Sequence, residues 1–470
     1  MNLCAFHTLL SPFIPVFTEP SFANFVALQV GWVLCVGRHT ISRAIRAMGA
    51  SARGKHHSVF YRFFSRAVWE TDAVGKILFR LLLPWIPGRQ VVAIIDDTLC
   101  RKSGPHLWGA AMHYDPLAST YSGSAGRHLA WAFGHNWVVL AIWVPCPWNP
   151  DRGVAIPLLF RLYRSKKRCP PEAYRKRTEL AVELAHLLAE WLPADRSLVL
   201  VGDAEYACQT LVQSLPPNAE FVGPARMDAA LHDRPPVPGA QRWGRPRKKG
   251  RRLPSPRQLA ADRRIPWHKT TLSIYGRKIP ALIKTCVVLW YRVAGPRPVR
   301  LVVTRDPKGR IDDRAYFATG ADWPSETILA FFARRWTLEV AFFNAKQFLG
   351  LQDPQNGWGR RTGKRRGRKR PGPQPRGRKG ERAVARTVPF IFIAQGLIHL
   401  WYFQHGSASQ DVQTARFLAP WYRHKKEPSF ADMLGALRKD LCRAALSTHP
   451  ELKCLQQNIL NALPSCLWAA

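Results

Sequence analysis

Acidic residues are scarce in this 470-residue sequence. It has 31 Asp and Glu against 70 Lys and Arg, a formal net charge of +39. A balance so far from neutral raises affinity for polyanions. Nucleic acid is the leading partner, because Lys and Arg displace condensed counterions from phosphates. Paired cysteine motifs are missing too. The ten cysteines, at 4, 35, 100, 146, 169, 208, 286, 442, 454 and 466, form no C-x-x-C pair and no regular Cys/His spacing. This argues against a zinc site and reads as small core residues in a reducing compartment. Uninterrupted apolar runs are also lacking. Asn24, Gln29 and Gly31 break Phe22–Gly37, and Gly134-His135-Asn136 and two prolines break Leu129–Trp148. Met1–Leu10 has no basic n-region. The expectation is a soluble, cytoplasmic protein with no membrane partner. No internal repeat is visible.

What is present divides the chain into five stretches. Residues 1–88 read as a helical N-terminal region and a candidate DNA-binding one. In "RHTISRAIRAMGA", Thr40 is a candidate N-cap and Gly49 a stop. A second helix starts at Ser58, so the pair has the outline of a helix-turn-helix or of a plain helical subdomain. Residues 89–230 are mixed: strands at Val91–Ile95, Trp137–Val144, Ser197–Val201 and Glu220–Val222, and helices at Glu172–Trp191 and Tyr206–Leu215. Residues 231–325 open with a basic, Pro-rich loop and continue into strand-like runs at Thr271–Tyr275, Ala281–Tyr291, Val299–Thr304 and Ala315–Ala318, an antiparallel meander. Residues 326–405 hold a helix over Thr327–Leu349, then a tract at 359–382 in which twelve of 24 residues are Lys or Arg, then an apolar helix over 385–403. Such a tract cannot build a core. Residues 406–470 read as helical.

Three acids stand out against this charge. Asp96-Asp97 ends the first strand, and Asp203 follows "SLVLVG". Strand ends are the usual place for ligand-binding groups in α/β sheets, although a DD pair there is also a common turn or cap. Glu339 shares a helix face with Phe332, Arg335 and Lys346, spaced three, four and seven apart. An i,i+4 salt-bridged amphipathic helix gives the same pattern. Together, three carboxylates could hold Mg²⁺, with phosphate oxygens filling its other positions, and a two-metal site would follow.

The three segments, in this order, resemble the DDE transposases of bacterial insertion sequences. The nearest branch is the one with a Tyr–x2–Arg–x3–Glu–x6–Lys signature. This chain reads Phe332–x2–Arg335–x3–Glu339–x6–Lys346, followed by "KQFLGL". "AIIDDTLCRKSG" is similar to the first Asp segment and "LVLVGDAEYA" to the second. The resemblance spans roughly residues 40 to 405. It implies an α/β fold: an RNase H-like core, a β-rich insertion over 267–320, and helical regions at both ends. It implies Asp96, Asp203 and Glu339 as catalytic metal ligands, with Asp97 the alternative to Asp96, and Mg²⁺, or Mn²⁺, as the cofactor. Arg335 and Lys346 would hold phosphates, and Thr98 would lie near the metal or DNA. Lys102 and His106, which follow the first Asp closely, read either as DNA contacts or as ordinary loop residues. The partners implied are double-stranded DNA, as transposon ends and as target, and a second copy in a dimer on DNA. The chemistry implied is cleavage and joining of a 3′-OH to target, in a cytoplasmic, nucleoid-associated enzyme. Two rival readings are a nuclease of the same fold without strand transfer and a basic nucleic-acid-binding protein without activity. Phe332 replaces the signature Tyr, so a phenolic contact to phosphate is lost. Trp336 is expected to pack in its helix, His135 to be a satisfied core histidine, and Glu205 to start a helix.

Overall fold

The computed structural model describes residues 5–49, 54–103, 107–115, 118–122, 126–128, 130–236, 247–274, 276–354 and 378–447. The N-terminal stretch is helical as expected: α1 (Ala5–Leu10), α2 (Glu19–Leu34), α3 (Ile41–Ala47), α4 (Ser58–Ser65) and α5 (Thr71–Leu82). Thr40 caps α3, its hydroxyl accepting the Arg43 N–H at 3.3 Å. On α4, Phe60, Phe63 and Phe64 all point inward, at the i, i+3, i+4 spacing of an amphipathic helix.

The strands are β1 (Gln90–Arg101), β2 (Ala111–Tyr114), β3 (Thr120–Ser122), β4 (Gly126–His128), β5 (Trp131–Cys146), β6 (Asn149–Tyr163), β7 (Ser197–Gly202), β8 (Ala219–Ala225), β9 (His268–Ile274), β10 (Arg277–Val288), β11 (Val299–Arg305) and β12 (Arg314–Ala318). β3 and β4 form a separate ribbon. The other ten make one sheet, ordered β2-β5-β1-β7-β8-β12-β11-β10-β9, with β6 also paired to β5. At its centre, β6, β5 and β1 run antiparallel, and β7 and β8 then add parallel to β1. A three-stranded antiparallel unit extended by two parallel strands is the RNase H-like arrangement. Between them lie α6 (Arg177–Trp191), which crosses from β6 to β7, and the short α7 (Gln209–Val212). Central strands are buried on both faces, which is why Val91–Ile95 and Trp137–Val144 read as continuous apolar runs rather than alternating ones.

The meander is present in its expected order, and it is not set apart from the core. β12 pairs antiparallel with β8, Phe317 opposite Gly223, so β9–β12 continue the same sheet. Two short helices, α8 (Pro256–Ala261) and α9 (Tyr291–Ala294), accompany it.

Three expectations need correction. Asp96-Asp97 is not a strand tip. β1 runs on to Arg101 because β5 stays paired with it as far as Gly134. The helix over Thr327–Leu349 is two helices, α10 (Ser325–Ala333) and α11 (Trp336–Phe348). At the joint, the N–H groups of Arg334, Arg335, Thr337 and Leu338 all bond three residues back, and the Thr337 hydroxyl also takes the Arg334 carbonyl. This tightens the turn locally. The helix over Tyr206–Leu215 shrinks to α7. β6 was not foreseen: Pro150 and Pro157 argue against a strand, but β6 lies at the sheet border and Pro157 sits at a register shift opposite Ala141.

The C-terminal elements are α12 (Arg378–His405), α13 (Ala408–Leu418) and α14 (Phe430–Ser447). α12 is long and apolar enough to cross a membrane, yet most of it is buried inside the molecule, packed against β6, α4, α5 and α14. Arg386 on α12 is 5% exposed and donates to the carbonyls of Phe64, Ala67 and Trp69. Residues 237–246, part of the first basic segment, and 355–377, which hold most of the 359–382 tract, lie outside the described residues, as do His106 and 448–470.

Candidate active site

The last parallel pair between β1 and β7 is Ile95 with Gly202. Each strand's next residue is an acid, Asp96 and Asp203, so the ladder itself sets them side by side. Gly202 permits the close approach: a Cβ there would lie 2.8 Å from Cβ of Tyr206 and 3.2 Å from the Ile95 side chain. Asp203 then closes its own turn, its Oδ1 accepting the N–H groups of Glu205 at 2.9 Å and Tyr206 at 3.3 Å. Its rotamer is fixed by an Asx-type turn.

α11 brings the third acid. Arg335 donates from Nη1 to Asp96 Oδ2 at 3.1 Å and from Nη2 to Glu339 Oε1 at 2.6 Å. One guanidinium therefore links the strand acid to the helix acid. The Asp97 N–H bonds Asp96 Oδ1 at 2.8 Å. Burial first, then the charges of Asp203 and Asp97, push the Asp96 carboxyl from its ordinary 3.8 up to about 7, while Arg335 opposes the shift. A carboxylate so placed is short of positive charge.

Asp97 faces elsewhere. Its Oδ2 accepts Asn136 Nδ2 from β5 at 2.7 Å and Arg177 Nη1 at 3.1 Å. Arg177 also pairs with Glu205, Nε to Oε1, at 2.7 Å. Asp96, not Asp97, is thus the acid on the Arg335–Glu339 side. Glu205 does not open a helix; it holds Arg177.

The remaining residues sort as follows. Lys346 is half-buried and close enough for its charge to act on the Cys100 thiol of β1. Thr98 and Lys102, both expected near DNA, lie in the interior. Thr98 is 3% exposed, opposite Trp137. Lys102 is 8% exposed, and its ammonium donates to the carbonyls of Gln352 at 3.2 Å and Pro354 at 2.7 Å. It clamps the segment after α11 to the end of β1. Trp336 is not packed in its helix but 54% exposed. Phe332 packs on Tyr316 at a tilt, ring centroids 4.7 Å apart. His135 is a core residue, its Nε2 on the Trp108 carbonyl at 2.8 Å. The seven described cysteines are free thiols. Sequence reading missed Asn136 and Arg177. Their only signal was weak: Arg177 is a cation in the first turn of α6, against the helix dipole.

Asp96, Asp203 and Glu339 are all hard oxygen donors of the kind that suits a divalent cation such as Mg²⁺. Among the described residues, no three His, Cys, Asp or Glu side chains converge enough to hold a metal as they stand. The Arg335 guanidinium lies between Asp96 and Glu339. By its chemistry the donor set suits a divalent ion, while in this structure a guanidinium stands between two of the three acids.

A family model described as "DDE superfamily endonuclease" matches residues 12–278, more than half of the chain. The match takes in Asp96 and Asp203 and ends before Glu339. A protein from Microchaete diplosiphon named "Probable transposase for insertion sequence element IS701" is 26% identical over 167 residues. The aligned part is 35% of this chain and 38% of the relative, so the chain spans well under half the relative's length.

Proposed function

The chain belongs to the DDE superfamily endonucleases, and from that premise we propose that it is a transposase acting on the ends of its own mobile element. It binds double-stranded DNA at those ends, cleaves it, and joins the freed 3′-OH to target DNA, as a homodimer across paired ends. The observation that carries this reading is the Arg335 guanidinium on both Asp96 and Glu339, with Asp203 following the ladder partner of Ile95. The three acids of the motif come from β1, the end of β7 and α11, and Arg335 links two of them.

Asp96, Asp203 and Glu339 would hold Mg²⁺, with Mn²⁺ the alternative. Such ions, when bound, supply a Lewis acid that activates the attacking oxygen and neutralises the leaving one. The protein's own residues do the rest. The strand ladder brings Asp96 and Asp203 side by side, and the Asx turn fixes the Asp203 side chain. Arg335, released from Asp96 and Glu339, offers its fork to a phosphate bidentately. Lys346 adds a point charge on the same helix. The named relative supports transposition over simple nuclease action.

The test is strand cleavage on DNA carrying the element's ends, in Mg²⁺. Wild type should nick, while Asp96→Asn and Glu339→Gln should bind DNA and not nick. Equal cleavage by all three proteins would overturn the site. Binding without any cleavage would favour a non-enzymatic DNA-binding protein.

A further inference from the structure

Nothing in the β1–β7 ladder holds Asp96 and Asp203 together beyond Ile95 and Gly202. Past that point the two chains part. β1 continues with β5, and the chain after β7 turns into the 203–206 loop. The spacing of two acids that must share a cation is then left to side chains. One side chain spans the gap. Arg177, first residue of α6, donates from Nη1 to Asp97 Oδ2 at 3.1 Å and from Nε to Glu205 Oε1 at 2.7 Å. Asp97 is the neighbour of Asp96, and it is also anchored to β5 by Asn136 at 2.7 Å. Glu205 is the residue whose N–H holds Asp203 Oδ1 at 2.9 Å. The path Asn136–Asp97–Arg177–Glu205–Asp203 therefore joins the two acid-bearing segments from behind.

We infer that Arg177 is a positioning residue of the acid cluster: by gripping Asp97 and Glu205 at once, it sets the distance between Asp96 and Asp203 for a divalent cation. The inference rests on the metal-dependent reading above. Three features support a positioning role over an incidental surface pair. All three partners are partly withdrawn from water, with Arg177, Asp97 and Glu205 side chains 33%, 18% and 37% exposed. The guanidinium uses two different edges for two acids, which a Lys ammonium cannot copy with the same geometry, and it faces the Tyr163 ring at 5.7 Å. And a cation in the first turn opposes the helix dipole, so helix stability does not account for it.

Charge alone and positioning predict opposite signs. Arg177 is a positive charge near the acids, so if it acted only through its field, removing it would tighten cation binding. If it positions them, removing it loosens binding, and Lys does not restore it. The experiment is Mn²⁺ titration of the full-length protein without DNA, read by the loss of the free-ion electron paramagnetic resonance signal. It uses wild type, Arg177→Lys, Arg177→Met, Glu205→Gln and, as the site control, Asp96→Asn. Outer-shell partners of metal ligands are commonly worth 10–100-fold in affinity. The expected result is about tenfold weaker Mn²⁺ binding in both Arg177 variants and a smaller loss in Glu205→Gln. In cleavage, the Mg²⁺ concentration for half-maximal rate should rise by a like factor, with the rate at saturating Mg²⁺ changed by less than about threefold. Wild-type affinity in Arg177→Lys, or tighter binding in Arg177→Met, overturns the inference and leaves the proposed function standing. If the Arg177 variants do not fold, Glu205→Gln decides: unchanged affinity overturns it. Wild type that binds no Mn²⁺ beyond what Asp96→Asn binds overturns the metal-dependent reading, and this inference with it.

Discussion

Replacing Asp96 by Asn should stabilise the protein while removing its activity, and the gain should depend on pH. The Asp96 carboxyl titrates near 7 in the fold against 3.8 in an unstructured chain. Between those values the unfolded chain has released a proton that the folded one keeps, so this group's contribution to stability falls as pH rises from about 4 to 7. Above 7 the buried charge carries its full cost. At about 1.4 kcal/mol per pH unit, the shift corresponds to about 4 kcal/mol at most. The Asp96 side chain is only 13% exposed, so solvent screening removes little. Loss of the Arg335 pairing in the variant removes more, leaving an expected gain of about 1–3 kcal/mol. Asn keeps the oxygen that accepts the Asp97 N–H, so the local backbone has no reason to move. The assay is thermal unfolding of both proteins from pH 5 to 8, without divalent ions. Asp96→Asn should melt a few degrees higher at pH 8, and the two curves should converge toward pH 5. Adding Mn²⁺ at pH 8 should raise the wild-type Tm and leave the variant's unchanged. A variant less stable than wild type at pH 8, or a difference that ignores pH, would refute the account of Asp96 as a carboxylate starved of positive charge.

Two further outcomes follow from buried cations. Lys102→Met leaves the Gln352 and Pro354 carbonyls without a donor and should lower stability by about 1–3 kcal/mol. It should leave the salt dependence of DNA binding unchanged, and a slope shallower by about one unit would put Lys102 back on a phosphate. Arg386→Leu strips three carbonyls of their partner and should lower stability by about 3 kcal/mol or more, seen in urea unfolding. A loss under about 1 kcal/mol would mean that water replaces the guanidinium there.

Much of the fold is legible in local pattern. The helices before residue 88, the strand before Asp203 and the four strands of the meander all announce themselves by periodicity or by bounded apolar runs. What local pattern cannot convey is where pairing continues. "DDTLCR" looks like a turn, and it stays extended because β5 holds it. β6 contains two prolines, and only its border position tolerates them. The candidate acids stand out in the sequence because carboxylates are rare in so basic a chain and because their order matches a known motif. The bridging role of Arg335 between Asp96 and Glu339 does not, since i,i+4 spacing explains only its bond to Glu339. Lys102 misled for a simple reason: the carbonyls that bury it come from residues about 250 positions later. Arg177 is similar, since its partners lie 80 residues back and 28 ahead.

The separation of the acids along the chain also has a consequence in time. Asp203 and Glu339 are divided by β8 and the whole meander, and α12, which closes the core, comes later still. At roughly 5–20 residues per second of synthesis, the first two acids wait about 7–27 seconds for the third. During that wait β1, β5, β7 and β8 are made but lack their covering helices α11 and α12. A ribosome-bound chain therefore exposes apolar strand faces before the third candidate acid and the helices that cover them have been made.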